Sequence, residues 1–285
     1  MEIFTRIKTI LIKPKDEWDI IEAENKPHAK IFGTYLLIIA LIPAAAIFFN
    51  YWWQWHTEIE KISELIRKSA IDNSMDAESL TETLAVIKIV YPFNVLLGVV
   101  KSVRILLLIL GGSYIAAAVI NMFSEQFGLQ KNFNRSFSLV AYSYTPLCIA
   151  GVFYAYPPLV QLVPYVGLYG LYLLYIGIKP LLNPPAEKLT GCFIMALIVT
   201  LVTYVIIPKI EKPITDEISK NILIEQFKNT EYKGEKLCSD KDIEFYKELK
   251  FDEIEREYRK EFNKIKKSIK EKIISQKTIT DGINK

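Results

Sequence analysis

Eight tyrosines crowd two neighbouring apolar stretches: Tyr142, Tyr144, Tyr154 and Tyr156 in one, Tyr165, Tyr169, Tyr172 and Tyr175 in the next. A phenol keeps its ring in hydrocarbon while its hydroxyl donates or accepts a hydrogen bond. Tyr165, Tyr169 and Tyr172 stand at i, i+4 and i+7 and so share one helix face. In an apolar surround those hydroxyls need partners, which hydrogen bonds to the preceding stretch would supply. Pro146 lies in that stretch and leaves a carbonyl one turn earlier without its donor. The hydroxyls of Tyr142, Ser143 and Tyr144 are close enough in sequence to compensate, or to form a polar pocket. The set suits helix packing first, and a groove for lipid or peptide second.

Other chemistry is sparsely represented. His28 and His56 are the two histidines, both near the ends of one apolar run. Cys148 and Cys192 fall inside apolar runs and read as small packing residues, with Cys238 in a polar segment. No CxxC, Cys/His cluster, HExxH, GxSxG or Walker-type loop occurs. The sequence therefore predicts no catalytic residue, no cofactor and no metal ligand. A net charge of +3 implies no attraction to nucleic acid.

The elements that carry these residues follow from where charge is missing. Residues 31–57, 105–123, 136–178 and 189–208 contain no Asp, Glu, Lys or Arg. Such runs match the ~20 residues a helix needs to cross a ~30 Å hydrocarbon core. They predict an all-α, polytopic membrane domain over residues 31–208 with spans near 31–51, 105–123, 137–156, 162–178 and 189–207. Pro43 is expected to kink the first span, and Tyr51, Trp52, Trp53 and Trp55 form an aromatic belt at its end. Pro157-Pro158 divides the 43-residue run into two spans, and Pro208 closes the fifth. In the second span Gly111, Gly112, Ser113 and Ala116 give the small-residue spacing that lets helices approach closely. That stripe is a packing face and, on a sharper reading, an interface between copies. The spans hold no ionisable residue at their midplanes, which weighs against proton-coupled transport.

Outside the spans, residues 1–30 read as a cytoplasmic amphipathic segment of two helices broken at Pro14, lying on the membrane surface or packed on the protein itself. Its mixed charge predicts an uncleaved anchor rather than a signal peptide. Residues 56–94 form a polar loop with Ile59, Ile62, Leu65 and Ile66 at helical spacing and a second helix from Asp76 to Tyr91. Residues 209–285 form a charged tail with 19 Lys plus Arg and 17 Asp plus Glu, and an apolar helical stripe from Phe251 to Ile273. The excess of Lys and Arg in residues 1–30 predicts a cytoplasmic N-terminus, and five crossings then place the tail outside.

The order of these features resembles the Yip (Ypt-interacting-protein) domain family. The stretch from Leu11 to Trp18 is similar to the opening of its prokaryotic branch. Residues 132–151, with Phe133, Phe137, Ala141-Tyr142-Ser143 and Thr145-Pro146, resemble its third span. Leu168-Tyr169 and Leu171 to Gly177 resemble its fourth, and Pro185, Lys188 and Gly191 the start of its fifth. The resemblance covers residues 1–208 and implies a five-span helical fold with no catalytic residues, in a prokaryotic cytoplasmic membrane. Eukaryotic relatives bind Rab-type GTPases, but their Asp-Leu-Tyr-Gly-Pro motif is absent here. The expectation is a non-enzymatic membrane scaffold or adaptor. Its partners would be the bilayer and another membrane protein or a second copy. The alternative is a lipid or small-molecule transporter with a tyrosine-lined path through spans three and four.

Overall fold

Helix after helix follows from the apolar runs and the punctuation between them. The computed structural model describes residues 3–72 and 93–229, with isolated positions in 77–84 and 231–260. The fold is all-helical, apart from a two-residue antiparallel pair, Glu231–Tyr232 with Glu235–Lys236. Among the described residues five helices are long and apolar enough to cross a membrane: His28–Lys68, Val95–Phe127, Phe133–Ala155, Pro157–Leu182 and Ala186–Gln226. They are called here spans one to five. The chain divides into two units, residues 1–50 with 101–212, and residues 51–100 with 213–285.

In the first unit, helix α1 (Ile3–Ile12) and helix α2 (Pro14–Glu24) precede the spans. Pro14 starts α2, where its missing N–H costs nothing, and Asp16 and Glu17 occupy the positive end of its dipole. Asn25 ends it in the left-handed conformation at φ 40°. Span one begins at His28, passes through a π-helical turn at Phe32–Leu36 and continues through Pro43.

Span three is the centre of this unit. Of its most apolar stretch 72% is buried, against 22% and 18% for spans four and five. It breaks at Tyr144, where Pro146 cannot donate to the Tyr142 carbonyl. That carbonyl is met by Thr145, whose Oγ1 donates to it at 2.7 Å. Tyr35 of span one completes the relay by donating its hydroxyl to Thr145 Oγ1 at 2.7 Å. The compensating hydroxyl is thus one residue past the three expected from sequence. Spans three and four turn at Tyr156-Pro157 and pack so closely that a Cβ on Gly170 would lie 2.7 Å from the Ser143 carbonyl.

Two expected ends move. Span one was expected to stop near Tyr51, yet its helix continues to Asp72. Span five was expected to stop at Pro208, yet one helix runs from Leu189 to Lys228 through Pro208 and Pro213. A proline removes one donor and crowds one turn, a local cost that packing can offset. The continuation has such a face, because Thr215, Ser219, Leu223 and Ile224 are buried at helical spacing.

In the second unit, Ile59, Ile62 and Ile66 form a small core with Trp55, Leu80 and Leu84. Leu65 is excluded from it and is exposed. Tyr51 and Trp55 both pack on Phe93, at ring distances of 5.4 and 5.3 Å, while Trp52 stacks on His56. Asn94 donates to Gln226 Oε1 at 2.5 Å. Most of the helix expected over Asp76–Tyr91 and of the Phe251–Ile273 stripe lies outside the described residues.

Candidate functional site

Arg6 lies on the apolar side of α1, three residues after Ile3 and four before Ile10, and is as buried as that isoleucine. Folding α2 back at Pro14 brings Glu17 and Glu24 to it. One guanidinium nitrogen donates to Glu17 Oε1, and the other donates to Glu24 Oε2 at 2.5 Å. The guanidinium also lies over the Tyr142 ring, 5.8 Å from its centroid. Lys26 reaches Glu24 at 2.9 Å, so two cations face two carboxylates. Burial alone would raise the Glu24 carboxyl, but hydrogen bonds from Lys26 and Arg6 outweigh it and hold the group below the usual carboxylate range. Glu17 is wholly buried, and its second oxygen has no hydrogen-bond partner among the described residues; nor does Trp18 Nε1.

The hairpin is held by shape as well as charge. Trp18 is fully buried against Gly177 of span four, where a Cβ would come within 2.6 Å of Trp18 Cε2. Its ring stands edge-on to Tyr142, which packs in turn on Tyr35 at 4.5 Å. Tyr169 donates to the Leu11 carbonyl at 2.7 Å, satisfying one of the acceptors left open at the end of α1. Arg135 donates to Glu22 at 2.8 Å. Beside it, Asn134 Oδ1 accepts from the His28 backbone at 2.9 Å and lies 2.7 Å from the ring Nδ1. The His28 ring sits among Phe133, Phe137 and Tyr114. This histidine is a structural joint between spans one and three.

The other residues singled out by sequence are distributed around the unit. Tyr142 belongs to the buried cluster, Pro146 is buried beneath it, and Tyr144 packs on the main core. Tyr165, Tyr172 and Tyr175 are exposed, not enclosed between spans three and four. Tyr172 lies beside Tyr169, and Tyr175 stands edge-on to Phe193 of span five. Gly112 faces Thr203 and Ile207 of span five, Ala116 is fully buried, and Gly111 faces open space. The sequence gives no site role to Arg6, Glu17, Trp18 or Thr145 taken singly. A signal existed for Arg6, a lone charge within an otherwise apolar stripe. Among the described residues no cluster of His, Cys, Asp or Glu could hold a metal, and Cys148 and Cys192 are buried free thiols.

The Yip1 domain profile matches residues 8–207, from the second turn of α1 to the last apolar residue before Pro208. The chain belongs to the Yip1 domain family. It is an integral, multi-pass membrane protein, and its Yip1 domain contains all but the beginning of the hairpin. No curated protein and no solved structure matches the chain. The Yip1 family is not known for catalysis. The Yip1 match stops inside an unbroken helix, since Leu189–Lys228 carries the chain some twenty residues past it.

Proposed function

We propose that this Yip1-domain protein is a non-enzymatic membrane scaffold or adaptor. One observation carries the reading: residues 51–100 and 213–285 form a compact unit of their own. The helices leading into it are 36 and 40 residues long, or about 54 and 60 Å, against the ~30 Å a bilayer requires. Three spans lie between spans one and five, so both deliver chain to the same side. The spans anchor the protein, and the second unit offers a binding surface to a partner. In-cell crosslinking and affinity capture of the full chain and of a chain ending at residue 212 test this. Partners recovered by the full chain and lost on truncation are expected; identical capture by both would overturn the reading.

The excess of Lys and Arg in residues 1–30 supports a cytoplasmic N-terminus and, after five crossings, an external tail, while a prokaryotic inner membrane is what the family resemblance implies. Cys148 and Cys192 are buried, which leaves Cys238 for a membrane-impermeant maleimide. Labelling of intact cells is expected; labelling only after lysis would reverse the topology.

A further inference from the structure

Two hydrogen-bonded pairs set a depth scale inside the first unit. His28 meets Asn134 at one end of spans one and three, and Asn50 donates to the Tyr154 carbonyl at the other. The pairs are 22 residues apart on span one and 20 on span three, roughly 33 and 30 Å of helix. That is the thickness of a hydrocarbon core. Arg6 lies over Tyr142, eight residues or about 12 Å inside the Asn134 level. The Ser143 carbonyl abuts Gly170, so Tyr169, which binds Leu11, stands at that depth too. Trp18 abuts Gly177, seven residues or about 10 Å back towards the N-terminal side. Helix α2 packs along span four.

We infer that α1 and α2 enter the bilayer as a re-entrant hairpin whose outer face binds an anionic phospholipid. Phe4 and Ile12 are 80% and 65% exposed on the side of α1 away from Arg6 and Ile10, as acyl-chain contact requires. Lys8 lies between them at i+4 and is exposed, with Lys13 and Lys15 exposed at the tip and Asp16 beside them. Ammonium groups at this depth need a counter-charge. Their flexible stems snorkel part of the way and the leaflet thins locally over them, so that a lipid phosphate supplies one. Apolar neighbours on the same face fit a lipid better than a water-filled cavity.

Two measurements on the full chain in nanodiscs test the inference. In a background with Cys148, Cys192 and Cys238 replaced by alanine, spin labels at Ile12→Cys and Lys30→Cys report depth by collision with oxygen and with a nickel chelate. The label at 12 is expected deep and oxygen-accessible and the label at 30 shallow; equal depth would overturn the hairpin's insertion. Native mass spectrometry then compares retained phosphatidylglycerol with phosphatidylcholine. Preference for phosphatidylglycerol is expected, weakened roughly thirty-fold in Lys13→Gln/Lys15→Gln and kept in the double arginine variant. Equal retention of both lipids, an unaffected glutamine variant, or displacement by inorganic phosphate would each overturn the lipid assignment.

Discussion

Arg6→Met separates what charge does for the hairpin from what packing does. Methionine keeps most of the apolar stem and removes the guanidinium. Glu17, wholly buried, then loses Arg6, its hydrogen-bond partner among the described residues. Breaking a buried pair in this way costs about 3–5 kcal/mol, because a charge is left without compensation, whereas removing both charges is often near neutral. Arg6→Met/Glu17→Gln is therefore expected to recover most of what the single change loses. The loss falls on local opening of α1 and α2, which hydrogen–deuterium exchange reads directly. Where exchange follows the opening equilibrium, that cost accelerates it by roughly two to three and a half orders of magnitude. Backbone amides of Ile7 to Ile12 and Trp18 to Glu22 are the reporters, with span three as the internal reference. Unchanged protection in the single variant would refute the clamp. A double variant as labile as the single one would show that stem contacts, not charge compensation, hold the hairpin.

Other perturbations follow from the same geometry. Gly177→Ala drives a methyl into Trp18 and Leu139 and is expected to cost about 1–3 kcal/mol. Gly111→Ala has open space and is expected to be neutral or to stabilise by up to about 1 kcal/mol; denaturation midpoints in detergent compare the two. Thr145→Val strips the donor from the Tyr142 carbonyl beside Pro146 and the acceptor from Tyr35, and is expected to destabilise by about 1–3 kcal/mol in a thermal-shift assay. The Glu24 carboxyl is held low in the folded protein, so its contribution is complete above the ordinary carboxylate pKa and fades as pH falls through the lowered value. Exchange in α1 and α2 is thus expected to quicken on acidification below about pH 4.5, and less so in Glu24→Gln.

The spans were legible in the sequence because absence of charge over twenty residues is a one-dimensional signal. Pro157-Pro158 likewise marked its turn locally. The hairpin was not legible as a clamp, because its meaning lies in pairings between distant positions. Nothing in the spacing of Arg6 and Glu17 announces a salt bridge until Pro14 reverses the chain. Trp18 shares the two readings open to residues 1–30, on the membrane surface or packed on the protein, until Gly177 supplies a notch for it. Pro208 misled for a related reason. A helix breaker states a local cost, and the buried stripe from Thr215 to Ile224 that offsets it comes later in the chain. The eight tyrosines looked like one chemical group, yet five of them already separate into a buried ring at Tyr142, a helix cap at Tyr169 and outward-facing rings at Tyr165, Tyr172 and Tyr175.

The bond between Tyr169 and Leu11 spans 158 residues, and it sets an order of events during synthesis. The hairpin leaves the ribosome before any span, yet its docking surface on span four is made only after three spans have been translated. At 5–20 residues per second the wait is roughly 8 to 30 seconds. Through that interval Arg6 and Glu17 stay solvated, and Trp18 must be kept from associating elsewhere. The hairpin precedes every span in synthesis and is among the last segments able to reach its place.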